Sequence, residues 1–139
     1  RTALTYVSHT EDAQDIVHDV FAAYLAKRPS FQDGSHERAW MLRVTINKCR
    51  DLQRRNAVRR YIPLEDAEHL TAADDPAVFE LLAAIRKLPD KLHAVMVLHY
   101  LEGLSVEETA SCLRISIPAA KMRLARGRQR LKELLGTEG

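Results

Sequence analysis

The sequence is short of the residues that punctuate β-structure. Its 139 residues hold only 5 glycines and 5 prolines, and aromatics make up 6%. A β-sandwich needs turn residues about every 8–12 positions, so that class is excluded and an all-helical protein is expected. Cysteine is scarce too. Cys49 and Cys112 lie in different segments, with no C-x-x-C and no His/Cys cluster at zinc spacing. A disulfide framework is thereby excluded, and a reduced, cytoplasmic setting is the expectation. No apolar run approaches the ~18 residues that would span a bilayer, and Arg1-Thr2-Ala3-Leu4-Thr5 does not resemble a signal peptide, so no direct membrane insertion is expected. The chain opens without Met inside an apparent helical pattern, which predicts that an N-terminal piece is missing.

Catalytic signatures are absent as well. His36-Glu37-Arg38-Ala39-Trp40 lacks the second histidine of H-E-x-x-H, and neither G-x-S-x-G nor a phosphate-binding Gly loop occurs. His93 and His99 are six apart and do not share a helix face. No enzymatic activity, metal or cofactor is expected. The length itself excludes a barrel enzyme or a doubly wound dinucleotide fold with a substrate domain.

What is present is charge and helical period. Apolar residues make up 46% and charged residues 29%, enough of the former to bury a core. The net charge of +2 hides a pattern: 1–55 carries +2, 56–76 carries −3 and 77–139 carries +3. Ile16, Val17, Val20, Phe21, Tyr24 and Leu25 recur at three and four, predicting one apolar helix stripe. Thr10 is the expected N-cap, with Glu11, Asp12 and Asp15 near the positive helix start. Pro29 and Gly34 mark a loop over 28–35. A long helix is expected over 36–56, capped by Ser35, with Trp40, Val44, Ile46 and Leu52 on its partly buried face. The acidic, aperiodic stretch Tyr61–Pro76, with Pro63 and Pro76 at its ends, is expected to be linker.

Four more helical patterns follow, over 77–87, 91–100, 105–113 and 117–135. Ser105-Val106-Glu107-Glu108 has the form of a capping box, and Pro118 falls in the first turn of the last helix, where a missing N–H costs nothing. The short turn Arg114-Ile115-Ser116 makes the last two patterns a helix-turn-helix. On a helical wheel Ala120, Leu124, Gly127 and Leu131 face inward, while Ala119, Met122, Arg123, Arg126 and Arg130 face outward and Lys121, Arg128 and Lys132 flank them. Lys121 to Lys132 holds six cations and no anion, which suits a phosphate-lined major groove. A second basic run, Arg43–Arg60, sets seven cations against Asp51, just after Phe31 and Trp40. Cations beside aromatics suit unpaired bases, although Trp40 is expected in the core. The carboxylates Asp12, Asp15 and Asp19 beside Ile16 suit a basic partner helix.

Taken in order, these segments resemble a bacterial RNA polymerase sigma factor of the extracytoplasmic-function type. Glu11-Asp12-Ala13-Gln14-Asp15-Ile16-Val17-His18-Asp19-Val20-Phe21 is similar to the E-D-A-E-D-L-V-Q-E-V-F of conserved region two. Trp40-Met41-Leu42-Arg43-Val44-Thr45-Ile46-Asn47, then Asp51 and Arg54-Arg55, resembles W-L-x-x-I-A-x-N…D…R-R. Leu88-Pro89 onward, with Tyr100-Leu101-Glu102-Gly103-Leu104-Ser105-Val106-Glu107-Glu108-Thr109-Ala110, resembles region four. The resemblance implies two helical domains, region two over 1–56 and region four over 77–139, joined by an acidic linker over 57–76. It implies core RNA polymerase, promoter DNA and an anti-sigma factor as partners. Asp12, Asp15, Ile16 and Asp19 would dock on the polymerase. Phe31, His36, Arg43, Asn47, Lys48, Arg54 and Arg55 would hold the downstream promoter element. Ala119, Lys121, Met122, Arg123 and Arg126 would meet the upstream element. Three features depart from the family, the first being His18 in place of a common Gln in region two. Arg114 replaces a turn Gly at a strain of about 1 kcal/mol if φ is positive, which predicts a reshaped turn, and Ala119 and Met122 remove polar side chains from the DNA-facing surface. The rival readings are a helix-turn-helix regulator binding duplex DNA as a dimer without polymerase, and an interaction module whose basic faces are merely solvated.

Overall fold

The computed structural model describes residues 1–7, 9–58 and 76–136, without the side chains of 56–58, 76, 78 and 79. Every regular element among them is helical. The chain divides into two compact units, Arg1–Thr71 and Ala72–Gly139. The expected linker lies almost wholly outside the described residues.

The first unit opens with a 3-10 turn, Ala3–Thr5, followed by helices α1 (Thr10–Lys27) and α2 (Gly34–Val58). The turn is buried at Ala3, Thr5, Tyr6 and Val7 and is closed by the Thr5 hydroxyl donating to the Thr2 carbonyl at 2.7 Å. Gln53 of α2 donates to the Tyr6 carbonyl at 3.2 Å and so ties the turn to the long helix. Helix α1 begins at Thr10 with His9 in the cap position, so Thr10 is the first helical residue rather than the cap. It ends where Arg28 turns left-handed (φ 44°) and donates its N–H to the Tyr24 carbonyl.

The expected single stripe on α1 is in fact two. Ala13, Ile16 and Val20 are buried, whereas Val17, Phe21 and Leu25 are 39%, 54% and 70% exposed. The sequence pattern is wider than the face that α2 and the opening turn cover, so the line Val17–Phe21–Leu25 is left outside.

Helix α2 starts earlier than its composition suggests. The Asp33 carboxylate accepts the N–H of His36 at 2.8 Å, so Asp33 caps the helix and Ser35 lies within its first turn. A carboxylate three positions ahead of an orphan N–H reaches it directly, and its charge complements the positive helix end. Ile46 and Cys49 are the buried centre of α2. Tyr24, Phe31 and Trp40 cluster across the α1–α2 loop with ring centroids 5.9–6.1 Å apart. The clustered Trp40 is half-buried, not fully in the core.

The second unit contains α3 (Pro76–Arg86), α4 (Asp90–Met96), a π-turn (Val97–Leu101), α5 (Val106–Leu113) and α6 (Ile117–Leu135). Its core is built on Leu88, Leu92, Val95, Met96 and Leu124. The expected helix over 91–100 thus ends in wider π geometry. Its exit is fixed by Leu104 N–H donating to the Leu98 carbonyl at 3.0 Å, by a hydrogen bond of 2.7 Å between His99 Nδ1 and the Leu104 carbonyl, and by Gly103 at φ 73°, where only glycine is free of strain.

Candidate functional site

Helix α5 is nucleated by the capping box legible in the sequence. Glu108 N–H donates to Ser105 Oγ at 3.0 Å, and Ser105 N–H donates to Glu108 Oε1 at 2.9 Å. The turn to α6 keeps left-handed geometry even without glycine: Arg114 sits at φ 57°, ψ 46°. The expected reshaping does not occur, because Ile115 N–H still closes onto the Ala110 carbonyl at 3.0 Å and holds the turn. Ser116 then caps α6 by accepting the Ala119 N–H at 3.2 Å. Ala110, Ala120, Leu124 and Gly127 are buried where the two helices meet the core.

The outer surface of α6 carries two basic ridges. Arg123, Arg126 and Arg130 recur at three and four and form one. Lys121, Arg128 and Lys132 recur at seven and four and form the other. Met122 and Gln129 lie exposed between them. Among the candidate upstream-element residues, Lys121, Met122 and Arg126 are exposed, and Ala119 and Arg123 are half-buried. Lys121 therefore stands apart from Arg123 and Arg126. Arg128 leans away from the outer face, with its guanidinium donating to the Tyr100 hydroxyl at 3.0 Å. Together with Lys132 it rims an apolar groove of about 370 Å3 lined by Leu81, Ile85, Met96 and Leu131.

In the first unit the candidate downstream-element residues separate into two sets. His36, Arg43, Asn47 and Arg54 fall on one line of α2, at spacings of seven, four and seven. Phe31 joins that line through His36, their rings 5.2 Å apart and edge to face. Lys48 and Arg55 point elsewhere. With Asp51 they line a groove of about 330 Å3 opposite Asp12, Asp15 and Asp19, above Ile16 and Leu52. Arg54 is paired with Asp51 one turn away.

Ile16 is only 4% exposed. It lies with Leu52 at the groove floor, inward of Asp12, Asp15 and Asp19. The outward apolar residues of α1 are Val17, Phe21 and Leu25. Tyr24 is a further residue that composition could not single out. Its hydroxyl donates to Glu37 Oε2 at 2.8 Å, spanning the loop that bears Phe31. That bond and the Glu37 charge hold the Tyr24 phenol above its ordinary pKa. Burial pushes the Cys49 thiol up to about 12, which leaves it a small apolar side chain at neutral pH. Neither cysteine forms a disulfide. Among the described residues no group of three or more His, Cys, Asp or Glu could hold a metal ion, and no helix is long and apolar enough to cross a membrane.

Comparison with known proteins accounts for both units. The family described as Sigma-70 region 2 matches residues 1–60, and that described as Sigma-70, region 4 matches residues 79–131. The ECF RNA polymerase sigma factor SigE of Mycolicibacterium smegmatis is 30% identical over 97% of this chain, which spans 56% of that protein. RNA polymerase sigma factor SigZ of Bacillus subtilis is 31% identical over 94% of this chain and 79% of its own length. A solved structure of CnrH in complex with the cytosolic domain of CnrY is similar at a TM-score of 0.72, with 29% identity, over 100% of this chain and 80% of that one. With two sigma-70 matches in register and relatives of this kind along nearly its whole length, the chain belongs to the extracytoplasmic-function sigma factors of RNA polymerase.

Proposed function

We propose that this chain binds core RNA polymerase and directs promoter recognition and transcription initiation, in the cytoplasm and without catalytic chemistry or a cofactor of its own. The observation that carries the reading is the pairing of two basic helix surfaces, one in each compact unit. The line His36–Arg43–Asn47 beside Phe31 suits an unpaired downstream-element strand, whose bases stack on rings while cations meet its backbone. The ridge Arg123–Arg126, with Lys121 and the apolar Ala119 and Met122, suits duplex DNA, where methyl groups of thymine offer apolar contacts in the major groove. The domains are then region two over 1–56, a linker over 57–76 and region four over 77–139.

Helix α1 supplies the polymerase-facing surface. Asp12, Asp15 and Asp19 offer charge, and Val17, Phe21 and Leu25 offer the apolar area that a stable interface buries. An anti-sigma partner is part of the same reading, by analogy with CnrH and its bound CnrY domain. A dimeric regulator that dispenses with polymerase is not favoured for a chain whose first 60 residues match sigma-70 region 2.

The test is transcription reconstituted from core polymerase, this chain within its full-length protein and a library of promoters. RNA synthesis that depends on the chain is expected. Charge reversal at Asp15 and Asp19 is expected to cut polymerase binding without weakening DNA binding by the free chain. Failure to initiate on every template refutes the proposal.

A further inference from the structure

The loop between α1 and α2 is pinned at both ends and held in the middle by packed rings. At its start the Arg28 N–H donates to the Tyr24 carbonyl at 2.9 Å. At its end the Asp33 carboxylate accepts the His36 N–H, and the Gln32 N–H donates to His36 Nδ1 at 3.3 Å. Between these ends Phe31 stacks on Tyr24, with ring centroids 6.1 Å apart and planes 22° apart. Trp40 packs edge to face against both rings, at 5.9 and 6.0 Å. Phe31 is half-buried, so part of its ring stays open to a base.

The ring that backs Phe31 is itself tethered. The Tyr24 hydroxyl donates to Glu37 Oε2 at 2.8 Å, across thirteen positions of the chain, and Glu37 lies in the first turn of α2. The bond thus ties the end of α1 to the start of α2 over the loop. A ring held at its hydroxyl cannot change rotamer without breaking that bond, whereas a phenyl ring can. Stacking depends on ring orientation, and a surface already held in its binding geometry loses less freedom when a ligand arrives. The Glu37 bond and charge raise the Tyr24 pKa, so the hydroxyl stays a donor at neutral pH. We infer that Tyr24, set by Glu37, is a positioning residue that holds Phe31 ready to stack on an unpaired base of the downstream element. The inference rests on the function proposed above and deepens it. Tyr24 acts in this role through Phe31, not on the strand itself.

The experiment titrates the whole chain, without polymerase, against a fluorescein-labelled single-stranded DNA oligonucleotide of mixed sequence and reads anisotropy. Phe31→Ala is expected to weaken binding about tenfold, the loss of one base–aromatic stack. Tyr24→Phe keeps the ring and removes the donor, and is expected to weaken binding about threefold. In a Phe31→Ala background Tyr24→Phe is expected to cost nothing further. Glu37→Gln and Glu37→Leu both remove the charge, but only glutamine keeps an acceptor. Glu37→Gln is expected to bind about threefold more tightly than Glu37→Leu, and the gap is expected to close in a Tyr24→Phe background. The positioning role is overturned by unchanged affinity in Tyr24→Phe, by a loss that persists in the Phe31→Ala background, or by equal binding of the two Glu37 variants. A loss in Phe31→Ala with none in Tyr24→Phe sinks the positioning role alone. No loss in Phe31→Ala, or no binding by the unaltered chain, sinks the reading of the downstream surface and the positioning role with it.

Discussion

Gly127 of α6 lies so close to Met96 of α4 that a Cβ added to it would meet the methionine sulfur at 2.6 Å. Glycine here makes room for the Met96 side chain against α6 and is not needed for backbone freedom. Gly127→Ala is expected to destabilise the chain by roughly 1–2 kcal/mol, overpacking outweighing the helix-propensity gain of about 1 kcal/mol. Combining it with Met96→Ala is expected to cost less than the two separate losses together, because the clash disappears. Thermal unfolding of the four proteins measures this, and strict additivity would show that the two residues do not meet.

Arg114 occupies a left-handed conformation that costs an L-residue about 1 kcal/mol. Arg114→Gly is expected to raise the unfolding free energy by up to about 0.5 kcal/mol, the relief of strain exceeding the entropy that glycine adds to the unfolded chain. Urea unfolding followed by circular dichroism reads the change. A lower midpoint would mean that the arginine side chain contributes more than its backbone loses.

Cys49 gives a pH dependence of known sign. Its folded pKa of about 12 lies above the ordinary 9.0, because burial favours the neutral thiol. The associated stability is fully present below pH 9 and is lost as pH rises toward 12. Alkaline titration of the unfolding midpoint is expected to fall across that window and to flatten in Cys49→Ala. At neutral pH the folded chain is expected to resist thiol-labelling reagents until it is denatured.

Arg126 is exposed on the ridge with Arg123 and Arg130. Arg126→Ala is expected to weaken duplex binding and to reduce the slope of log affinity against log salt by about 1, the signature of one lost phosphate contact. Fluorescence anisotropy at several salt concentrations measures both, and unchanged values would remove Arg126 from the interface.

Helix positions, the Ser105–Glu108 capping box and the inward line Ala120–Leu124–Gly127 were all legible in the sequence, because each depends on residues three to seven apart on one helix, and local spacing encodes local geometry. The acidic and basic segments were legible for the same reason. Which neighbours each side chain meets was decided by packing. Two lines on α1 were equally apolar, and only the position of α2 selected Ile16 and Val20 for burial while leaving Val17, Phe21 and Leu25 outside. The cations of α2 formed a single run in the chain, and only the proximity of α1 set Lys48 and Arg55 opposite carboxylates while His36, Arg43 and Asn47 kept a separate line. Periodicity tells how wide a face is. What covers that face depends on contacts between residues far apart in the chain, such as Tyr24 with Glu37 and Met96 with Gly127, and those exist only once the helices are assembled.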